Sequence, residues 1–285
     1  MCTVKGTEGS NPSLSATIEF LMIDKRYNFL APIIIKDLIR VGSKNDGGYL
    51  MSSKVLNNCN FLLSFGMGED WSLEKYFLKK KTNLVHIYDH TINYSIFFNK
   101  FYKSIKRIFY FKSNLFKIIL SFNKLVDFFK INSNKRFIFF KKKVSNFSKL
   151  NEENLEKIFI KIPKEAKILF SIDIEGDEFK VLDKIFYYCD QIHGMSIEFH
   201  YLNRNEKKFK SLVKKLLNYF YIIHIHGNNY NGVLKSGLPE VLEISFMNKK
   251  LYKQKKIQLR KSLPIKNLDQ ANIPNKKQIE INFSL

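Results

Sequence analysis

Residues 61–70, Phe61-Leu62-Leu63-Ser64-Phe65-Gly66-Met67-Gly68-Glu69-Asp70, run from a short apolar segment into two closely spaced glycines, and a helical pattern follows over residues 71–80. Glycines at a strand-to-helix turn let the backbone approach a ligand closely. Twenty-one residues after Gly68, a second apolar run over 84–89 ends in Asp89. A carboxylate at that distance, on the next strand, can accept hydrogen bonds from both hydroxyls of an adenosyl ribose. The third glycine of the dinucleotide fingerprint is missing, because position 71 is Trp. A pyrophosphate then has a poorer seat, which favours S-adenosylmethionine over NAD. The expected cofactor contacts are Ser64, Phe65, Gly66, Gly68 and Asp70 at the turn, with Asp89 and His90 at the second strand end.

Five further runs read as strands: 136–142, 167–173, 194–200, 220–226 and 240–247. Several are nearly continuous apolar stretches, as strands buried on both faces are. Helical patterns fall between them. Residues 151–161 open with a capping Asn and acids and stop before Pro163; residues 178–188 carry Phe179, Val181, Leu182 and Ile185; residues 205–219 place Phe209, Leu212, Val213, Leu216 and Leu217 on one stripe. This alternation implies an α/β fold with a mostly parallel sheet and helices on both faces. The last two runs are joined by a Gly- and Asn-rich loop (227–239) without a helix, so the final strand is expected to be antiparallel. Seven strands with the last one antiparallel is the Rossmann-like plan of class I methyltransferases.

The remaining strand ends carry the candidate chemistry. The fourth reads Ser171-Ile172-Asp173-Ile174-Glu175-Gly176-Asp177-Glu178. Asp173 sits at the carboxyl edge, where open α/β sheets bind ligands. Asp177 and Glu178 read as a helix N-cap and a dipole partner. Crowding by Asp173 and Glu175 raises carboxylate pKa values or recruits a cation. The fifth strand ends in Glu198-Phe199-His200 and the sixth in His224-Ile225-His226. Alternation puts Glu198 and His200 on one side, and the two His of the sixth strand on one side. His200 is the first candidate for a base that deprotonates a hydroxyl acceptor, and His226 the second, with Asp173 or Glu175 orienting it. A divalent metal held by Asp173, Glu198, His200 and His226 is geometrically conceivable, although no short ligand spacing marks it. His86 and His193 read as ordinary core or surface residues.

Arg40-Val41-Gly42 with Asn45-Asp46-Gly47-Gly48-Tyr49, then SFGMGEDWSLE, IYDHT, SIDIEGDE, IEFH, HIHGNNY and PEVLEISF, occur in that order. Together they resemble the FkbM-type S-adenosylmethionine-dependent methyltransferases of bacterial surface-glycan loci, over residues 36–90 and 136–247. The resemblance implies O-methyl transfer to a sugar or glycan hydroxyl. It also implies that Gly66 and Gly68 line the methionine and ribose parts of the cofactor, that Asp89 holds the ribose, and that Asp173 and Glu175 form an active-site edge.

Length, charge and cysteine usage bound these readings. Lys and Arg number 48 and Asp and Glu 26 in 285 residues, a formal net charge of +22. That suggests nucleic acid or anionic membrane, although lysine-rich coding gives the same number on any solvated face. Residues 94–150 hold 14 Lys or Arg and one acid (Asp127), residues 248–285 hold ten and two, and the other 190 residues sum to +1. The region with the proposed site is thus nearly neutral. Nucleic acid is therefore not the expected partner, although RNA ribose methylation, or a non-catalytic basic module binding membrane or nucleic acid, stays as the alternative. Within 94–135, Phe97, Phe101, Ile105 and Ile108, then Leu115, Ile118, Ile119, Phe122 and Leu125, predict two amphipathic helices flanking a turn at 112–114. This basic helical insertion suits peripheral contact with an anionic membrane. Residues 248–285 read as a weakly ordered basic tail. Residues 1–21 show no periodicity and read as a leader outside the domain, disordered or translated from upstream DNA, with Met22 as the natural start. Cys2, Cys59 and Cys189 form no CxxC pair, which excludes a disulfide scaffold and a thiolate zinc cage and fits a cytoplasmic protein at the inner membrane face. No run reaches the ~18 apolar residues of a membrane span.

Overall fold

The computed structural model describes residues 22–109, 114–254 and 256–285, excluding the side chains of 108 and 109. The expected leader over 1–21, and Lys112 and Ser113 of the expected turn, lie outside the described residues. One sheet holds β1 (Phe61–Phe65), β2 (Leu84–Tyr88), β3 (Phe137–Phe140), β4 (Ile168–Ile172), β5 (Ile192–Phe199), β6 (Phe220–Gly227) and β7 (Leu242–Asn248). The spatial order is β6-β7-β5-β4-β1-β2-β3. β1 to β5 are parallel, and β7 runs antiparallel to both β5 and β6. This is the Rossmann-like plan of class I methyltransferases, with all seven expected strands in place.

The strand order reverses between β1 and β4. The chain moves outward from β1 through β2 and β3 on one side, and from β4 through β5 to the edge strand β6 on the other, with β7 inserted between β5 and β6. The crevice at such a switch point is where open α/β sheets bind ligands. Here it lies beside Gly66 and Asp173, which directly follow β1 and β4.

Among the described residues, seven α-helices flank the sheet: α1 (Ser53–Asn58), α2 (Ser72–Leu78), α3 (Tyr94–Phe109), α4 (Leu115–Asn132), α5 (Leu155–Ile160), α6 (Glu178–Val181) and α7 (Leu202–Leu216). One core joins Phe65, Phe170, Ile197 and Ile244 of the sheet to Ile158 of α5 and Phe209 and Val213 of α7. The other joins Leu62, Val85 and Leu169 to Val55 of α1, Phe77 of α2, Phe97 of α3 and Phe128 of α4. Each such side chain contributes roughly 1.5–3 kcal/mol when fully buried. α4 begins where Asn114 accepts a hydrogen bond from the Lys117 amide. In the expected helix 151–161, the cap is Asn154, which accepts from the Lys157 amide; residues 152–153 instead form a short strand.

Two parts of the chain depart from expectation. A hairpin, Leu38–Gly42 paired with Gly48–Ser52, was not among the seven runs. It packs on the second core through Val41, Leu50 and Met51. The segment read as a weakly ordered tail is also packed. Ser262–Leu263 pairs with Ile281–Asn282, the Arg260 amide donates to the Pro32 carbonyl at 2.8 Å, and Leu263, Ile281 and Phe283 are buried in the first core. Its apolar residues are too sparse to show a period, so their burial is set by the surface that receives them. We call residues 256–285 the strap.

Candidate active site

The turn after β1 is fixed by sterics. Gly66 has φ +76°, and a Cβ there would lie 1.6 Å from the Asp173 carbonyl oxygen. Only glycine lets β1 and β4 leave the sheet this close together. Gly68, at φ +57°, would meet no atom within 4 Å, so its α-carbon faces open space. Its amide donates to Asp89 Oδ2 at 2.8 Å, while Asp89 Oδ1 accepts from the Thr91 amide at 2.7 Å and the Thr91 hydroxyl at 2.6 Å. Of about four acceptor positions on a carboxylate, Asp89 keeps one free on Oδ2. This differs from the expectation of two ribose bonds: the turn itself uses the other positions.

A cavity of about 730 Å³ opens at this turn, within the range of small-molecule sites. Ser64, Gly66, Gly68, Asp70, Asp89 and His90 line it, together with Asp46, Tyr49, Glu74, Thr91 and Val144. Two expected contacts have other main roles. Phe65 points into the core, edge-on to Phe170 at 4.8 Å, and does not reach the cavity. Asp70 is a clamp: Oδ1 accepts from the Ser72 amide at 2.8 Å and Oδ2 from the Ser43 hydroxyl, tying α2 to the hairpin loop. Below the wall, burial pushes the Glu74 carboxyl up to about 7.

A second cavity of about 500 Å³ shares Asp46, Asp173 and Glu175 with the first. Glu198, His200, Asn228, Tyr230 and Asn231 line its walls, with Asn272 and Ile273 from the strap. His200 Nδ1 lies 2.9 Å from Glu178 Oε1, and both side chains are buried. Its Nε2 faces Asp173 Oδ1 at 3.7 Å, Glu175 Oε2 at 3.6 Å and Glu198 Oε1 at 3.9 Å. Burial opposes charge on this imidazole, but the Glu178 hydrogen bond and the facing carboxylates outweigh it and raise its pKa. Burial pushes the Asp173 carboxyl up to about 7, against the His200 charge and with help from Glu175 and Glu178. Burial, then the Asp173 and Glu243 charges, raises Glu198 as well.

The structure thus brings Asp173, Glu175, Glu198 and His200 together and holds His226 apart from them. Glu198 pairs in register with Glu243, and Glu243 with His226, so these groups do share one face of the sheet. His226 lines neither cavity. Its Nδ1 lies 3.2 Å from Asp269 and its Nε2 3.0 Å from Asn272 Oδ1. The Asn272 amide nitrogen donates to Glu243 at 2.7 Å, which fixes its oxygen toward the ring. Both ring nitrogens therefore donate, leaving no lone pair to accept a proton from a substrate. Burial opposes this charge, but the Asp269 bond and the Glu243 charge raise the pKa.

Sequence reading missed Glu178 as the partner of His200; it read as a helix-dipole partner, yet it is wholly buried. Asp177 makes no cap hydrogen bond and instead pairs with Lys143 and Lys180. Asp46 stood in a recognised motif without a role. Asp269 and Asn272 carried no signal, lying more than 40 residues from the strand they hold.

No protein-family model matches the chain, and no curated protein matches it. Among solved structures it is similar to an rRNA methylase from Streptococcus thermophilus (TM-score 0.35, 8% identity, 68% of this chain and 92% of that one). It is also similar to a precorrin-6y C5,15-methyltransferase from Geobacter metallireducens (0.35, 8%, 68% and 86%). A third is M. capricolum TrmK in complex with S-adenosyl-homocysteine (0.32, 11%, 69% and 66%). The fold assignment rests on strand order and direction, not on these likenesses.

Proposed function

We propose that the protein is an S-adenosylmethionine-dependent O-methyltransferase acting on a sugar-like hydroxyl, in keeping with the FkbM-type enzymes its motifs resemble. The observation that carries this reading is the pair of cavities meeting at Asp173. The first fits the cofactor by its residues: the exposed α-carbon of Gly68, and the remaining acceptor position of Asp89 for a ribose hydroxyl. When bound, the cofactor supplies an electrophilic sulfonium methyl. The chain's own residues hold the acceptor in line and take its proton. Asp173 and His200 stand at the boundary where that proton is released, with His200 oriented by Glu178.

The second cavity supports the choice of acceptor. Its polar lining is four carboxylates, three amides, two phenols and one imidazole, and no Lys or Arg. Carboxylates and amide oxygens accept from hydroxyl groups and repel phosphate. This favours a polyhydroxylated acceptor over an RNA backbone. The basic charge stands elsewhere. On α3 and α4, Phe98, Tyr102, Leu115, Phe116, Ile119, Leu120 and Phe122 are exposed, among Lys100, Lys103, Lys106, Lys117 and Lys124. An apolar surface flanked by cations suits an anionic lipid surface, and we place the enzyme peripherally on one.

Ligand-dependent thermal stabilisation tests the reading. S-adenosylmethionine and S-adenosylhomocysteine should each raise the Tm, and NAD should not. Asp89→Ala should remove most of that shift. Failure of both adenosyl ligands rejects the enzyme assignment. RNA binding with a steep salt dependence would instead favour ribose methylation.

A further inference from the structure

We propose that Asp173, Glu175 and His200 form a divalent-cation site, with Glu178 orienting the histidine from behind. One donor atom from each of the three lies within 4.8 Å of the others. Donors about 2.1 Å from a common ion stand about 3.0 Å apart at a right angle and about 4.2 Å apart when opposite. The 3.7 Å and 3.6 Å from His200 Nε2 to Asp173 Oδ1 and Glu175 Oε2 fall inside that interval. They are also too long for hydrogen bonds.

The histidine makes this more than a group of acids. Its side chain keeps only 9% exposure, yet Nε2 has no hydrogen-bond partner among the described residues. Asp173 Oδ1, which it faces, is a buried atom without a hydrogen-bond partner among the described residues. The opposite ring nitrogen is bonded at 2.9 Å to Glu178, which is wholly buried and is itself held by the Gly176 amide at 3.0 Å. A buried carboxylate accepting from Nδ1–H directs the Nε2 lone pair into the cluster, as metal-binding histidines require. Glu198 Oε1, at 3.9 Å, stands as a further oxygen beside it.

One imidazole with carboxylates suits Mn2+ or Zn2+ better than a purely oxygen-seeking ion. Three protein ligands leave coordination positions open toward the second cavity. There, on the methyltransferase reading, adjacent hydroxyls of the acceptor would chelate the cation, which would make their proton easier to release to solvent in place of His200 and Asp173 acting as free bases.

Mn2+ titrated into the chelator-treated full chain, followed by paramagnetic resonance and calorimetry, tests the site. One ion per chain is expected. His200→Ala and Glu175→Gln should abolish binding, and Glu178→Gln should weaken it about tenfold or more. Glu175 is exposed, so its variant keeps the fold and guards against a merely unfolded His200→Ala. The Tm of Glu175→Gln, measured on the same samples, should match that of the wild type, and S-adenosylhomocysteine binding by the wild type is measured alongside. No binding of Mn2+ or Zn2+ at millimolar concentration, or binding indifferent to both variants, overturns the site. Cofactor binding without metal binding would overturn the site alone. Metal binding without cofactor binding would overturn only the methyltransferase reading.

Discussion

Gly66 and Asp269 show how single residues set this site. At Gly66 any side chain collides with the Asp173 backbone, and φ is left-handed. Gly66→Ala should cost at least about 1–3 kcal/mol from the backbone conformation alone, read as a lower midpoint in urea denaturation. Asp269 bonds both His224, at 3.1 Å, and His226, at 3.2 Å, from almost complete burial. Burial opposes its charge, but the two histidines hold its carboxyl well below the usual carboxylate range. Two opposite pH limits follow. The depressed carboxyl contributes stability above its unfolded pKa near 4, lost as pH falls further through the folded value. The raised His226 contributes fully below its unfolded pKa near 6.5, and that part is lost as pH rises through its higher folded value. Asp269→Asn should therefore cost roughly 2 kcal/mol near pH 5–6, measured by denaturant unfolding across pH. The gap from wild type should narrow on both the acid and the alkaline side.

At the scale of elements, α3 and α4 contrast with α7. All three were legible from the spacing of apolar residues. On α7 the stripe Phe209, Leu212, Val213 and Leu216 is buried against the sheet. On α4 only Leu125, Phe128 and Ile131 are buried, while Leu115 and Phe116 near its start are 66% and 64% exposed. Among the described residues, nothing covers the apolar half-turns near its start. Phe116→Asp combined with Leu120→Asp should abolish sedimentation with anionic vesicles and leave the Tm within a degree or two. Raising salt from 0.1 to 1 M should weaken wild-type binding, because the Debye length falls from about 10 to 3 Å. Equal binding to neutral vesicles would reject the electrostatic part. The two-residue pairing of Ser262–Leu263 with Ile281–Asn282 shows the reverse case: elements too short for a readable period, held only by their surroundings.

At the scale of the molecule, the charge of +22 surrounds a site whose own lining is acidic. The strap joins the sheet edge to this site. It buries Leu263, Ile281 and Phe283, and it pairs His224 and His226. Truncation after residue 255 would remove these three core side chains, expose the core surface they cover and strand two histidines beside Glu243. It should destroy cooperative unfolding rather than merely shorten a tail, as calorimetry would show. The alternation of apolar runs and helical stripes determined the sheet, its helices and the antiparallel β7, because burial on one face or two leaves a period of 2.0 or 3.6 in the chain itself. Gly66, Gly68, Asp89, Asp173 and His200 were legible for a related reason: a strand end is local, and a switch point lies at strand ends. The pairing of Glu178 with His200, the clamp of Asp269 and Asn272 on His226, and the packed strap were decided only by the tertiary structure. The histidine contacts join residues 22 to 46 positions apart and the strap reaches as far back as Pro32, and a distance in the chain carries no period from which a contact in space can be read.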